Sequence, residues 1–147
     1  MPSRLARVNL RLAFRACLVI TVALLAGCSS VTARKVIALD RFQRIYVERR
    51  LNENHHLDEI FVDELRRLGR EASSGPLTMM PDNTDVILTY DARWEWDFQT
   101  YLIELSMELH TNHTNNKLAD ARSHQPTIRP RRPEAVIREM LERLFVK

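Results

Sequence analysis

The fold is decided by the stretch DVILTYDARWEW at residues 85–96, in which apolar and polar side chains alternate. Because successive side chains of a β-strand point to opposite faces of a sheet, this alternation predicts a strand with one buried and one solvated face. The stretch YLIELSMELH at residues 101–110 repeats the pattern, and an Asn-rich turn at 111–116 leads to a third run through 117–123. The three runs predict an antiparallel meander with one wet face. The predicted apolar faces are Val86, Leu88, Tyr90, Ala92, Trp94 and Trp96 in the first run, and Tyr101, Ile103, Leu105, Met107 and Leu109 in the second.

Two helices are predicted before and after this meander. The first has acidic residues in its first turn and Gly69 at the position of a left-handed C-cap. A short strand at 41–48 precedes it, and a loop at 73–83 follows it. The resulting order β-α-β-β-β-α predicts an α+β fold, a two-layer sandwich in which a mainly antiparallel sheet carries two helices on one face. The predicted apolar stripes are Leu57, Ile60, Phe61, Leu65 and Leu68 in the first helix, and Val136, Ile137, Met140, Leu141 and Leu144 in a terminal helix at 134–145.

Four segments carry a resemblance to a known group of proteins: LDRFQRIYV at 39–47, DELRRLG at 63–69, TDVILTY at 84–90 and PEAV at 133–136. Together they resemble small proteobacterial lipoproteins with a compact α/β domain. The topology is similar to that of accessory lipoproteins that activate cell-wall synthases or assist secretion and transport. The resemblance brings no catalytic residue with it.

The start of the chain predicts where the protein is found. An arginine-rich, acid-free segment precedes an apolar run of 11 residues at 16–26, whereas a membrane-spanning helix needs about 20. The run ends in Leu25-Ala26-Gly27-Cys28, which resembles a bacterial lipobox. Leu25, Ala26 and Gly27 would be recognised by the signal peptidase, and Cys28 would be lipidated. The alternative is a mitochondrial presequence, because the arginines fall on one face of a helix.

This interpretation divides the chain into a signal peptide at 1–27, a lipidated tether at 28–35 and a single periplasmic domain at 36–147. Acyl chains on Cys28 would hold the domain at the membrane, since stable anchoring needs more than one chain. In the lipoproteins that this segment resembles, an Asp after the cysteine favours the inner membrane. Ser29 therefore implies the outer membrane, with the domain on its periplasmic face.

Composition restricts the function of the mature part. Four of the 22 basic residues lie within residues 1–27, so residues 28–147 carry 18 basic and 19 acidic side chains, a formal charge of −1. Nucleic-acid binding would need a sustained basic face, so we expect no such partner. The two cysteines are Cys17, in the signal, and Cys28, which leaves no thiol for a disulfide, a zinc cluster or a nucleophile. We expect no cofactor.

Several polar groups are candidate metal or catalytic sites. His55 and His56 lack further ligands at a defined spacing, and His110 and His113 with His124 form a better-placed alternative, but we expect no metal. The carboxylates of Asp91 and Glu95 lie about 13 Å apart along a strand, farther than the ~5–9.5 Å of glycosidase pairs. With Arg93 they predict a charged, solvated face that pairs across to Glu104 and Glu108. We expect no enzymatic activity.

The connection between the first two strands is the candidate partner surface. Trp94, Trp96, Phe98 and Tyr101 are crowded there. Both tryptophans share the apolar face of Val86, so the favoured expectation is that they belong to the core. The alternative is an aromatic anchor for another envelope protein. A basic link with Arg129, Arg131 and Arg132 is expected to be a solvated loop, with contact to anionic headgroups as the alternative.

These features predict a membrane-anchored, non-enzymatic accessory or binding module of the cell envelope. The first alternative is a carrier that accepts a lipid or glycan between the sheet and the helices. A second is an enzyme with an unusual site.

Overall fold

Six strands form one mixed sheet in the computed structural model, which describes residues 29–126 and 130–146. The spatial order is β1-β6-β5-β4-β2-β3. The β4–β5, β5–β6 and β1–β6 pairs are antiparallel, whereas β2 pairs in parallel with both β3 and β4. The elements are β1 Ser30–Lys35, β2 Arg44–Glu48, α1 Leu57–Arg67, β3 Glu71–Gly75, a 3-10 turn Leu77–Met79, β4 Val86–Asp97, β5 Gln99–Thr111, β6 Lys117–His124 and α2 Pro133–Phe145.

The predicted α+β sandwich is confirmed. The helices and the inward side chains of the strands share one hydrophobic core, in which Leu88, Leu105 and Ile137 are fully buried. The other face of the sheet carries charged pairs such as Lys117–Glu108 at 2.7 Å. The predicted wet face follows from this division, because alternate residues of each strand face opposite sides.

Helix α1 ends as its sequence predicts. Gly69 adopts a φ of 77°, its N–H donates to Arg66 O at 2.9 Å, and the N–H of Arg70 donates to Leu65 O at 3.0 Å. These two bonds form a Schellman cap, which favours glycine because a Cβ is strained at positive φ. The cap turns the chain back toward the sheet, where β3 begins at Glu71.

Helix α2 buries the predicted stripe, and all five apolar side chains of that stripe are buried. It packs beside α1 on the same face of the sheet. Between the helices, Nε and Nη2 of Arg138 donate to the buried carboxylate of Glu64, at 3.1 and 3.0 Å. This bidentate pair fixes the two helices relative to each other.

Two segments differ from the sequence prediction. Residues 30–35, expected within a tether, form β1 and pair with β6 from Ser30 opposite His124 to Lys35 opposite Ala119. Residues 73–75, expected at the start of a loop, belong to β3, which pairs with β2. Both strands are short and lack an alternation of apolar and polar residues. They join the sheet because the neighbouring strand offers unpaired backbone N–H and C=O groups.

No helix in the described parts of the chain is long and apolar enough to cross a membrane.

Candidate functional site

The β4–β5 hairpin extends past the rest of the sheet. On one side, β2 pairs with β4 only as far as Leu88. On the other side, β6 pairs with β5 only as far as Glu104. Residues 94–102 therefore form a two-stranded projection, which we call the aromatic ribbon.

The end of the aromatic ribbon is exposed to solvent. Trp96 is 72% exposed and Phe98 is 94% exposed, with their ring centroids 6.3 Å apart. Phe98 lies at the tip with a φ of 59°, a left-handed conformation that is strained for a bulky side chain. Tyr101 is half-buried. The ribbon thus presents aromatic surface that no other part of the described chain covers.

The expectation that both tryptophans belong to the core is therefore wrong for Trp96 and holds only partly for Trp94. Trp94 is half-buried against the edge of the core, and its ring stacks on His55 with the centroids 3.7 Å apart. The alternation along β4 is intact, but burial needs a second layer over the strand. Val86 and Leu88 are fully buried in the core that they share with the helices, whereas Trp96 lies outside that core.

A β-bulge changes the predicted face of β5. Arg93 pairs with Glu104, whereas Trp94 pairs with Leu102, so Ile103 is an extra residue between two ladder positions. Leu102 is buried as well as Ile103, whereas Tyr101, which the prediction placed on the apolar face with Ile103, is only half-buried. Three successive apolar residues at 101–103 are the signal in the sequence that alternation breaks there.

A cleft of about 480 Å³ lies beside β4, between the strand and the loop at 48–55. Arg50 bridges it by an exposed ion pair with Asp91 at 2.7 Å. The hydroxyl of Tyr90 is buried at its floor, where the backbone N–H groups of Arg50 and Asp58 lie near its oxygen, but it donates to no group of the described residues. Burial, followed by the nearby charges of Glu53 and Asp58, raises the pKa of Tyr90 to about 12, so the group is a neutral phenol at physiological pH.

The far wall of the cleft is held by local hydrogen bonds. The carboxylate of Glu53 accepts the N–H groups of His55 at 2.5 Å and of Leu57 at 3.0 Å. His56, at the N-cap of α1, adopts a φ of 55°. The Glu53 bonds satisfy donors that a helix start leaves open. The loop therefore has a defined shape that ends on the His55–Trp94 stack.

A buried carboxylate ties this loop to α1 and β3. Asp58 accepts from Arg49 Nε at 2.8 Å and from Ser74 Oγ at 2.9 Å. Burial alone would raise the pKa of Asp58, but these hydrogen bonds and the charge of Arg49 outweigh it and hold the pKa below 3.8. Asp58 is ionised at neutral pH and is a structural anchor of the loop.

The candidate metal ligands are dispersed. His110 contacts Glu108 at 3.0 Å, and His55 stacks on Trp94. In residues 29–126 and 130–146, no group of three or more His, Cys, Asp or Glu side chains is placed to hold a metal ion. Neither histidine cluster named from the sequence forms a set of ligands here.

The predicted charged strand face is present with different partners. Arg93 pairs across the hairpin with Glu104 at 3.7 Å, as expected for cross-strand neighbours. Asp91 instead pairs with Arg50 of the loop, and Glu108 pairs with Lys117. These are interactions of a solvated face.

The remaining predicted residues divide by position. Leu25, Ala26, Gly27 and Cys28 lie outside the described residues, and so does Arg129. Ser29 is exposed immediately before β1. In the basic link, Arg131 is not a free loop side chain, because it pairs with Glu139 at 2.5 Å, while Arg132 is exposed.

Comparison with known proteins identifies the fold. No family model matches the chain, and no curated protein matches it. The structure is similar to PelC from Paraburkholderia phytofirmans, solved as a dodecamer, with a TM-score of 0.62, 15% identity, and coverage of 82% of this chain and all of that one. A single-residue variant of the same dodecamer has a TM-score of 0.62 and 16% identity, with coverage of 80% of this chain and 99% of that one. A minor lipoprotein from Acinetobacter baumannii, at 17% identity over 69% of this chain and 87% of that one, has a TM-score of only 0.36. At these identities the likeness to PelC establishes a shared fold.

Proposed function

We propose that the protein is a non-enzymatic binding module of the bacterial cell envelope, which engages another protein through the aromatic ribbon. The observation that supports this proposal is the exposure of Trp96 and Phe98 at the end of a projecting hairpin. Clustered aromatic residues of this kind supply most of the binding energy in protein interfaces. An exposed apolar cluster on an otherwise well-packed domain is typical of an interaction site.

The strained conformation of Phe98 favours the same function. A bulky residue at positive φ costs of the order of 1 kcal/mol or more, and such strain is typically retained at functional sites. An Asn or Gly would form this turn with less strain. A large apolar side chain at this position therefore suggests that its exposure at the tip is used.

The proposed anchor is a lipid on Cys28, with Ser29 directing the protein to the outer membrane on its periplasmic side. Because β1 begins at Ser30, only Ser29 lies between the lipidated position and the sheet. That distance is at most about 7 Å. The domain would lie directly at the membrane surface, closer than a tether over residues 28–35 would hold it, and we expect its partner there.

A second copy of the chain is the alternative partner, favoured by the dodecameric state of the PelC structures with the same fold. The carrier alternative receives less support. The space between the sheet and the helices is filled by buried side chains such as Leu88 and Met140, and the cleft of about 480 Å³ lies beside β4 instead.

Site-specific crosslinking in cells tests the proposal. A photoreactive residue replaces Phe98 in one variant and Met79 in a control, since Met79 is also exposed, at 73%, on another part of the surface. We expect one defined crosslinked species at position 98 that is absent at position 79 and lost when Trp96→Ala is added. Identical products at the two positions, or none at position 98, would contradict the proposed surface.

The anchor needs a separate measurement. We expect the intact mass of the membrane-extracted protein to begin at Cys28 and to include acyl additions, which a Cys28→Ser variant lacks. A chain that retains residues 1–27 without lipid would refute the lipid anchor and leave the binding surface to be judged by the crosslink.

A further inference from the structure

One edge of β4 lacks a strand partner over most of its length. Strand β2 pairs with β4 at residues 86–88 and then leaves the sheet into the loop at 48–55. In the described part of the chain, no strand pairs with β4 on that side from Thr89 to Asp97. Nine residues of extended backbone span about 30 Å. Their outward N–H and C=O groups are a template for another strand.

The cleft runs along this open edge. Its near wall is made by residues 90–94 of β4, and its far wall by the loop at 48–55. The gap thus lies where β2 would continue if it stayed in the sheet. On the helix side of β4, the cleft offers the half-buried ring of Trp94. A backbone inserted there would meet both hydrogen-bonding groups and an apolar surface.

The charge along the edge selects the partner. On the other face of β4, Arg93 is paired with Glu104 of β5 at 3.7 Å, whereas Glu95 and Asp97 are exposed and make no ion pair within the described residues. Asp91, on the same face, is held only by its exposed pair with Arg50, a contact of at most about 1 kcal/mol. An acidic edge disfavours an acidic strand and favours a basic one, because like charges opposite each other are destabilising.

We propose that the open edge of β4, Thr89–Asp97, binds an extended peptide segment of a partner protein by β-strand addition, and that this segment alternates basic with apolar side chains. The basic side chains face Asp91, Glu95 and Asp97. The apolar ones face Trp94 in the cleft. This inference rests on the proposed binding function and names the chemistry of its partner.

Synthetic peptides test the inference on the full-length chain in non-ionic detergent. The probe is a nine-residue peptide of alternating Lys and Val. One control replaces Lys by Glu, and another carries N-methyl groups on alternate backbone nitrogens, in both registers. Tryptophan fluorescence measures affinity, and hydrogen exchange read by mass spectrometry locates the bound strand. We expect saturable binding of the Lys-Val peptide with slowed exchange confined to residues 89–97.

Charge reversal provides the matched variants. We expect Glu95→Lys with Asp97→Lys to weaken Lys-Val binding about tenfold or more and to favour the Glu-Val peptide. Glu142→Lys changes an exposed charge on α2 and should leave both affinities unchanged. At least one of the two N-methylated peptides should bind more weakly than the unmethylated Lys-Val peptide, because backbone hydrogen bonds carry the interaction.

Three results would overturn the inference. They are the absence of saturable binding, slowed hydrogen exchange outside residues 89–97, and N-methylated peptides that both bind as tightly as the unmethylated Lys-Val peptide. Slow exchange of this edge before any peptide is added, together with a native mass of several chains, would show that a second copy occupies it. A defined crosslink at position 98, combined with no slowing of exchange at residues 89–97 when peptide is added, would refute strand addition and leave the proposed binding function standing. Failure of that crosslink would instead count against the proposed function.

Discussion

Removal of one hydroxyl group from each of two buried tyrosines, by Tyr46→Phe and Tyr90→Phe, is expected to change stability in opposite directions. Tyr46 is 2% exposed and Tyr90 is 3% exposed, so the two rings are buried alike. The hydroxyl of Tyr46 donates to Pro76 O at 2.8 Å. The hydroxyl of Tyr90 donates to no group of the described residues, and only the backbone N–H groups of Arg50 and Asp58 lie near its oxygen. The comparison therefore isolates the hydrogen bond from the burial of the ring.

The magnitudes follow from the cost of unpaired polar groups. Tyr46→Phe removes one hydrogen bond and leaves the Pro76 carbonyl unpaired, a loss of about 1–2 kcal/mol. Tyr90→Phe removes a buried O–H that donates to no group of the described residues, a gain of up to about 1 kcal/mol. A change of 1 kcal/mol shifts the melting temperature of a domain of this size by about 4 °C.

Urea unfolding and thermal melts of the two variants and the unmodified protein measure these differences. We expect the midpoint of Tyr46→Phe below that of the unmodified protein and the midpoint of Tyr90→Phe above it, with unchanged m-values. If Tyr90→Phe is destabilised as much as Tyr46→Phe, the reasoning is refuted, because the Tyr90 hydroxyl must then have a hydrogen-bond partner.

Two further predictions concern the same region. A Cβ added at Gly75 would lie 2.6 Å from the Tyr46 hydroxyl oxygen, so Gly75→Ala should lower the free energy of unfolding by about 1–3 kcal/mol. In a protein that already carries Tyr46→Phe, the same substitution should cost much less. Additive effects of the two substitutions in a double-mutant cycle would contradict this contact. The pKa of Asp58 is lower in the folded state than its ordinary value of 3.8, so its stabilisation is complete above that value and is lost as the pH falls through the lower folded-state pKa. Asp58→Asn should therefore lose stability less steeply with acidification below pH 3.8 than the unmodified protein, as measured by urea unfolding at a series of pH values, and equal slopes would show that Asp58 does not contribute to acid unfolding.

Much of the candidate site could be named from the sequence, but its exposure could not. The four aromatic residues of the proposed partner surface lie within eight positions of the chain, so the sequence alone indicates that they are crowded together. Whether Trp96 is buried depends on how far the helices extend over β4, which is a property of the packed layers. The cleft was not anticipated, because its walls come from residues 48–55 and 90–94 and meet only after β2 pairs with β4.

Local sequence patterns are sufficient to predict the α+β class, the apolar stripes of both helices, the Gly69 cap and the alternating strands β4 and β5. Each of these depends on neighbours within a few residues, where a period of 2 or 3.6 and a special φ are written directly into the chain. Only the tertiary structure decided that residues 30–35 and 71–75 are strands, that β2 and β3 run in parallel, and that β5 contains a bulge. These features depend on which distant backbone groups become partners, and that choice is settled by packing of the whole domain.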